Sequence, residues 1–103
     1  MLDKKIILKC MNDGQRLILV PGKYSYYFKC PFYYRENRPP ELQNSPCKTY
    51  LSILEKKYIS NEIESLMELE ELQTGREIEF DVFKIKIVRI EEKFIEVAVK
   101  RKE

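Results

Sequence analysis

The chain has 103 residues, 44% of them hydrophobic and 35% charged, with a net charge of +2. Such a length holds one domain, expected over 1–103, and apolar residues spread along all of it exclude a disordered chain. The small net charge argues against a polyanion or membrane surface as the natural partner, and no stretch approaches the roughly 18 apolar residues of a membrane span.

The first strand is expected over about 4–11, with Ile6, Leu8 and Cys10 on one face. The apolar run Ile6–Leu8 behind two lysines is too short for a signal-peptide core. A cytoplasmic protein is therefore expected, in the host cytoplasm if the source is viral. Asn12-Asp13-Gly14 is a strong turn signal, because these residues tolerate the positive φ of tight turns. A second strand follows over about 15–20, Pro21-Gly22 makes another turn, and a third strand runs over about 24–30. Together these read as an antiparallel three-stranded meander, with Tyr24, Tyr26 and Phe28 on its core face.

Residues 31–45 break the pattern with prolines and asparagines and read as a loop, a long one for so small a domain. Ser45-Pro46 then looks like a helix start, and a helical segment is expected over 46–74, either one kinked helix or two. Cys47, Tyr50, Leu51, Leu54 and Tyr58 would line one face of it. Asn61 and Glu64 offer a second capping box, and Gly75 a left-handed cap. From about 76 to 90 the period returns to two, with a change of parity near Asp81-Val82 that implies a turn or bulge. A last strand over about 93–101 carries Ile95, Val97 and Val99 on one face. The fold class is α+β: an N-terminal three-stranded antiparallel meander, a central helix and a C-terminal β-hairpin or meander.

Chemistry is legible mostly through what the composition lacks. There is no histidine, so the usual general base and the commonest metal ligand are missing, and glycines 14, 22 and 75 are too far apart for a phosphate loop. No catalytic residue is nominated, and the chain is expected not to be an enzyme. Cys10, Cys30 and Cys47 are the only metal-ligand candidates. Structural zinc wants four ligands, normally in closely spaced pairs, whereas these three are far apart and a carboxylate would have to complete the set. The expectation is three small buried apolar residues, a metal-free fold and no cofactor; a Cys10–Cys30 disulfide is a minor alternative.

Seven of the twelve aromatics fall between Tyr24 and Tyr34, with Lys23, Lys29, Arg35 and Arg38 among or beside them. Tyrosine and arginine dominate protein-interface hot spots, and interleaved cations and rings also suit single-stranded nucleic acid. Charge is polarised as well. Residues 1–50 carry nine basic and four acidic side chains, whereas 61–81 carry eight acidic ones against Arg76. The single alanine, with abundant Lys, Glu, Ile and Tyr, points to AT-rich coding.

These features suggest a small non-catalytic protein-binding domain, plausibly an inhibitor of a host defence nuclease carried by a phage or mobile element, of the anti-CRISPR sort. Its partner-binding candidates are Tyr27, Tyr33, Tyr34, Arg35, Arg38, Glu64, Glu68 and Glu71. The alternative is a nucleic-acid-binding module using the Tyr/Arg-rich segment 24–38, with zinc as a stabiliser. In the first case nucleic acid should bind weakly at best.

Overall fold

The computed structural model describes residues 4–32 and 47–102. Among these residues two sheets and one helix enclose a common core. The elements are β1 (Lys5–Cys10), β2 (Ile18–Pro21), β3 (Tyr26–Lys29), β4 (Tyr50–Ser52), α1 (Ile53–Glu68), β5 (Glu77–Glu79), β6 (Phe83–Ile90) and β7 (Phe94–Arg101). One sheet has the strand order β1-β7-β6-β5 and the other β2-β3-β4. The architecture is α+β, and the three-stranded antiparallel sheet, the helix and the C-terminal strands are all present.

The membership of the sheets differs from the sequence reading. β1 leaves the meander and pairs in parallel with β7, from Lys5↔Phe94 to Cys10↔Val99. The third strand of the antiparallel sheet is instead β4, with Phe28 opposite Leu51. The reason lies in burial: Ile95, Val97 and Val99 are fully buried, and Leu8 and Cys10 nearly so. Matching apolar faces of β1 and β7 stabilises that pairing more than local connectivity does. The turn at 11–14 still forms, with Cys10 N–H donating to the Gln15 carbonyl at 2.8 Å and Gly14 at φ 70°.

The helical segment is one helix, shorter than expected. Its N-cap is Ser52, whose hydroxyl accepts from Glu55 N–H while the Glu55 carboxylate accepts from Ser52 N–H. This capping box satisfies two otherwise orphaned donors at the helix entry. Asn61 and Glu64 therefore lie inside the helix and do not cap it; Ser45 and Pro46 lie outside the described residues. Tyr50 and Leu51 belong to β4. The buried stripe is Ile59, Ile63 and Leu66. Leu54 lies about 140° round the helix from Ile59 and, like Tyr58, is exposed. The helix ends well before Gly75, which sits at φ 90° in the following turn.

The change of parity near Asp81 is the turn between β5 and β6, and Phe83, Ile85 and Ile87 then face the core. A bulge between Ile87 and Arg89 follows in the pairing with β7. Tyr24 and Tyr26 are not core residues: they are 90% and 59% exposed. Tyr24 precedes β3, and Tyr26 sits at the end of the sheet opposite Pro21. Only Phe28 of the three packs against the core.

Candidate metal centre

Three elements bring their ends to one point. Cys10 closes β1, Cys30 follows β3, and Cys47 lies just before β4. All three cysteines are free and buried. The turn after β1 adds Asp13, and the four donor atoms, three sulfurs and a carboxylate oxygen, lie within 4.8 Å of one another. Cys10 Sγ is 3.5 Å from Cys47 Sγ. Asp13 Oδ2 is 3.1 Å from Cys30 Sγ and 3.7 Å from Cys10 Sγ.

Two of those separations fall in the range of a tetrahedral metal's ligands, while the Asp13–Cys30 approach is shorter. Zinc–sulfur bonds of about 2.3 Å and a zinc–oxygen bond of about 2.0 Å put neighbouring ligand atoms about 3.5–3.8 Å apart. Thiolates select zinc over the hard oxygen-seeking cations. Four protein ligands make a closed set, the pattern of a structural ion rather than a catalytic one.

Groups around the sulfurs support the same reading. Phe32 N–H donates to Cys30 Sγ at 3.5 Å, and the buried Thr49 hydroxyl lies 3.2 Å from Cys10 Sγ. Such outer partners fix ligand orientation and hold thiolate charge. Burial pushes the Cys30 and Cys47 thiols above their ordinary pKa; the Phe32 amide opposes this at Cys30 and Thr49 opposes it at Cys47, while Asp13 adds to it at both. A cation at the centre of the four donors reverses that balance and favours the thiolates.

The expectation that these cysteines are buried holds, and the fold brings all three together with Asp13. Residues widely spaced in sequence meet because the fold places three strand ends together. Asp13 is the fourth donor of the cluster. Its signal was present in Cys10-Met11-Asn12-Asp13, which has the spacing of a two-cysteine zinc knuckle with a carboxylate in the second place.

The partner-binding candidates do not converge among the described residues. Tyr27 is half-buried in β3, Glu64 half-buried in α1, Glu68 exposed at the helix end, and Glu71 exposed beyond it. Tyr33, Tyr34, Arg35 and Arg38 lie outside the described residues. Among those described, no helix is long and apolar enough to cross a membrane. No protein-family model, curated protein or solved structure matches the chain.

Proposed function

We propose that this protein is a non-catalytic binding domain held together by one structural zinc ion. The observation that carries the reading is the convergence of Cys10, Asp13, Cys30 and Cys47 from three separate strand ends. Cys30 and Cys47 bracket the segment 31–46, so the ion would clamp both ends of the proline- and arginine-rich stretch. A stretch whose ends are fixed loses less entropy on meeting a partner. Free thiols with a zinc ion suit a reducing cytoplasm.

Purification without added metal followed by elemental analysis tests the metal. One zinc per chain is expected, with the fold lost or loosened on strong chelation. A metal-free protein whose cooperative melting ignores both chelator and added zinc would overturn this reading.

Within the binding class, a protein partner comes first, with Tyr33, Tyr34, Arg35 and Arg38 as anchors and the acidic residues after Asn61 steering the encounter. A mobile-element inhibitor of a host defence nuclease is the specific form of this reading. It rests on small size, polarised charge and AT-rich composition. Tyr33→Ala, Tyr34→Ala and Arg38→Ala should keep the melting temperature while abolishing protection in a plasmid-interference assay. Equal loss of melting temperature in all three would make the segment structural instead.

A further inference from the structure

A second feature lies on the other side of the β1 turn and does not depend on the metal. β1 and the residues after the turn pair only briefly: Lys9 bridges Arg16, and Leu17 N–H donates to the Leu8 carbonyl at 2.9 Å. Beyond Leu17 the chain departs to pair with β3. The outer edge of β1 and the helix are thereby left apart, and between them lies a cavity of about 460 Å³. That is the size of pockets that hold small organic ligands.

The lining divides sharply by chemistry. Leu8, Leu17 and Phe28 supply an apolar surface, while Lys4, Lys5, Arg16 and Lys56 supply four cations, of which Lys4 donates to the Glu91 carbonyl at 2.6 Å. Among the described residues no carboxylate lines the cavity, and none of these four cations makes an ion pair with another described residue. Elsewhere Lys9, Arg89, Arg101 and Lys102 each pair with a glutamate. A second cavity, lined by Lys84, Lys100 and Lys102, contains Glu79, which pairs with Lys102.

Strand geometry adds donors. Lys5 N–H bonds to the Lys93 carbonyl of the chain before β7. The alternation of a strand therefore turns the N–H groups of Ile6 and Leu8 away from β7, toward the open edge. Like charges gathered on low-dielectric walls focus a positive potential into the space between them. An anion relieves that repulsion, and lysine, arginine and amide N–H groups together are the donors phosphate oxygens take. A bare inorganic ion would fill only a fraction of the volume and leave Phe28 uncovered. The remaining surface calls for a flat apolar body attached to the anion.

We propose that the cavity between the open edge of β1 and α1 binds a nucleotide-sized organic phosphate, its phosphates on Lys5, Arg16 and Lys56 and its ring against Phe28.

Calorimetric titration of the protein as purified, with ATP as the probe, tests this. Saturable one-to-one binding is expected, weakened at least about tenfold in Arg16→Glu and in Lys56→Glu. Lys100→Glu, in the second cavity, should leave the affinity unchanged. Melting curves show that each variant is folded, and Arg16→Gln and Lys56→Gln serve where a reversal fails to fold. Four results would overturn the proposal. They are no saturable binding below about 1 mM, equal affinity for inorganic phosphate, equal weakening by Lys100→Glu, or affinity that grows with the length of an oligothymidylate. The last would mean an open track for a polyanion in place of a bounded site.

Discussion

Asp13 Oδ2 approaches Cys30 Sγ to 3.1 Å across a separation of 17 residues. The contact joins the turn after β1 to the end of β3, and hence one sheet to the other. The thiol donates to the carboxylate, which helps to hold the proton on Cys30; a cation between them would take that proton's place.

Cobalt(II) gives the most direct reading of this group. The cobalt-loaded protein should show intense thiolate-to-metal absorption with the visible bands of a tetrahedral site. Cys30→Ser should remove about a third of the charge-transfer intensity, since one of three thiolates is lost. Asp13→Asn should keep that intensity while weakening metal affinity at least about tenfold. Unchanged affinity in Asp13→Asn would exclude the carboxylate from the ligand set.

Without metal the thiols should behave as inert groups. Burial pushes Cys30 and Cys47 up from the ordinary value of 9.0, so the folded form keeps its protons where the unfolded chain loses them. The stability this confers is complete below pH 9.0 and falls as pH rises toward the raised values. Chelator-treated protein should therefore unfold more easily above about pH 9. Iodoacetamide should label its folded form at least about tenfold more slowly than a free cysteine, followed by mass spectrometry.

Arg101, at the end of β7, joins one sheet to the other. Its guanidinium pairs with Glu55 at 2.8 Å, and both side chains are only 16% exposed. It also lies 4.2 Å from the centre of the Tyr50 ring. Glu55 in turn completes the capping box at Ser52. Arg101→Ala should cost about 1–3 kcal/mol in urea titrations. Arg101→Lys should recover only part of this, because a lysine cannot both stack and pair. Ser52→Ala should cost about 1 kcal/mol.

Gly22 is required by close approach. A Cβ there would sit 2.6 Å from the Ser25 carbonyl oxygen and 3.0 Å from the Tyr27 ring. Gly22→Ala should lower stability by about 1–3 kcal/mol, measured by thermal melting, through distortion of the β2–β3 turn. A neutral result would mean that this turn relaxes without cost.

The strands were legible because their alternation is strong: Ile85 and Ile87 in β6, and Ile95, Val97 and Val99 in β7, all face the core as their spacing requires. Pairing was not legible, because period-two faces carry no statement of partner, and β1 met β7 rather than its neighbour in sequence. Leu54 and Tyr58 misled for a related reason. Helical spacing alone cannot say which of two apolar stripes is covered, and here the stripe through Ile59 won. The candidate metal centre was the least legible. Its four donors come from three strand ends and the turn after β1, and their meeting depends on the pairing that local pattern does not reveal.

The pairing of β1 with β7 also sets an order of events. Lys5 finds its partner only when Phe94 is present, so during synthesis the first strand leaves the ribosome long before its place in the sheet exists. Until then the apolar edge of Ile6 and Leu8 has no cover, and non-local closure of this kind is slow. The antiparallel sheet formed from β2, β3 and β4 needs nothing beyond Ser52. The half of the protein that carries Cys30 and Cys47 thus completes first, and β1 with Cys10 is drawn onto it when the final strand arrives.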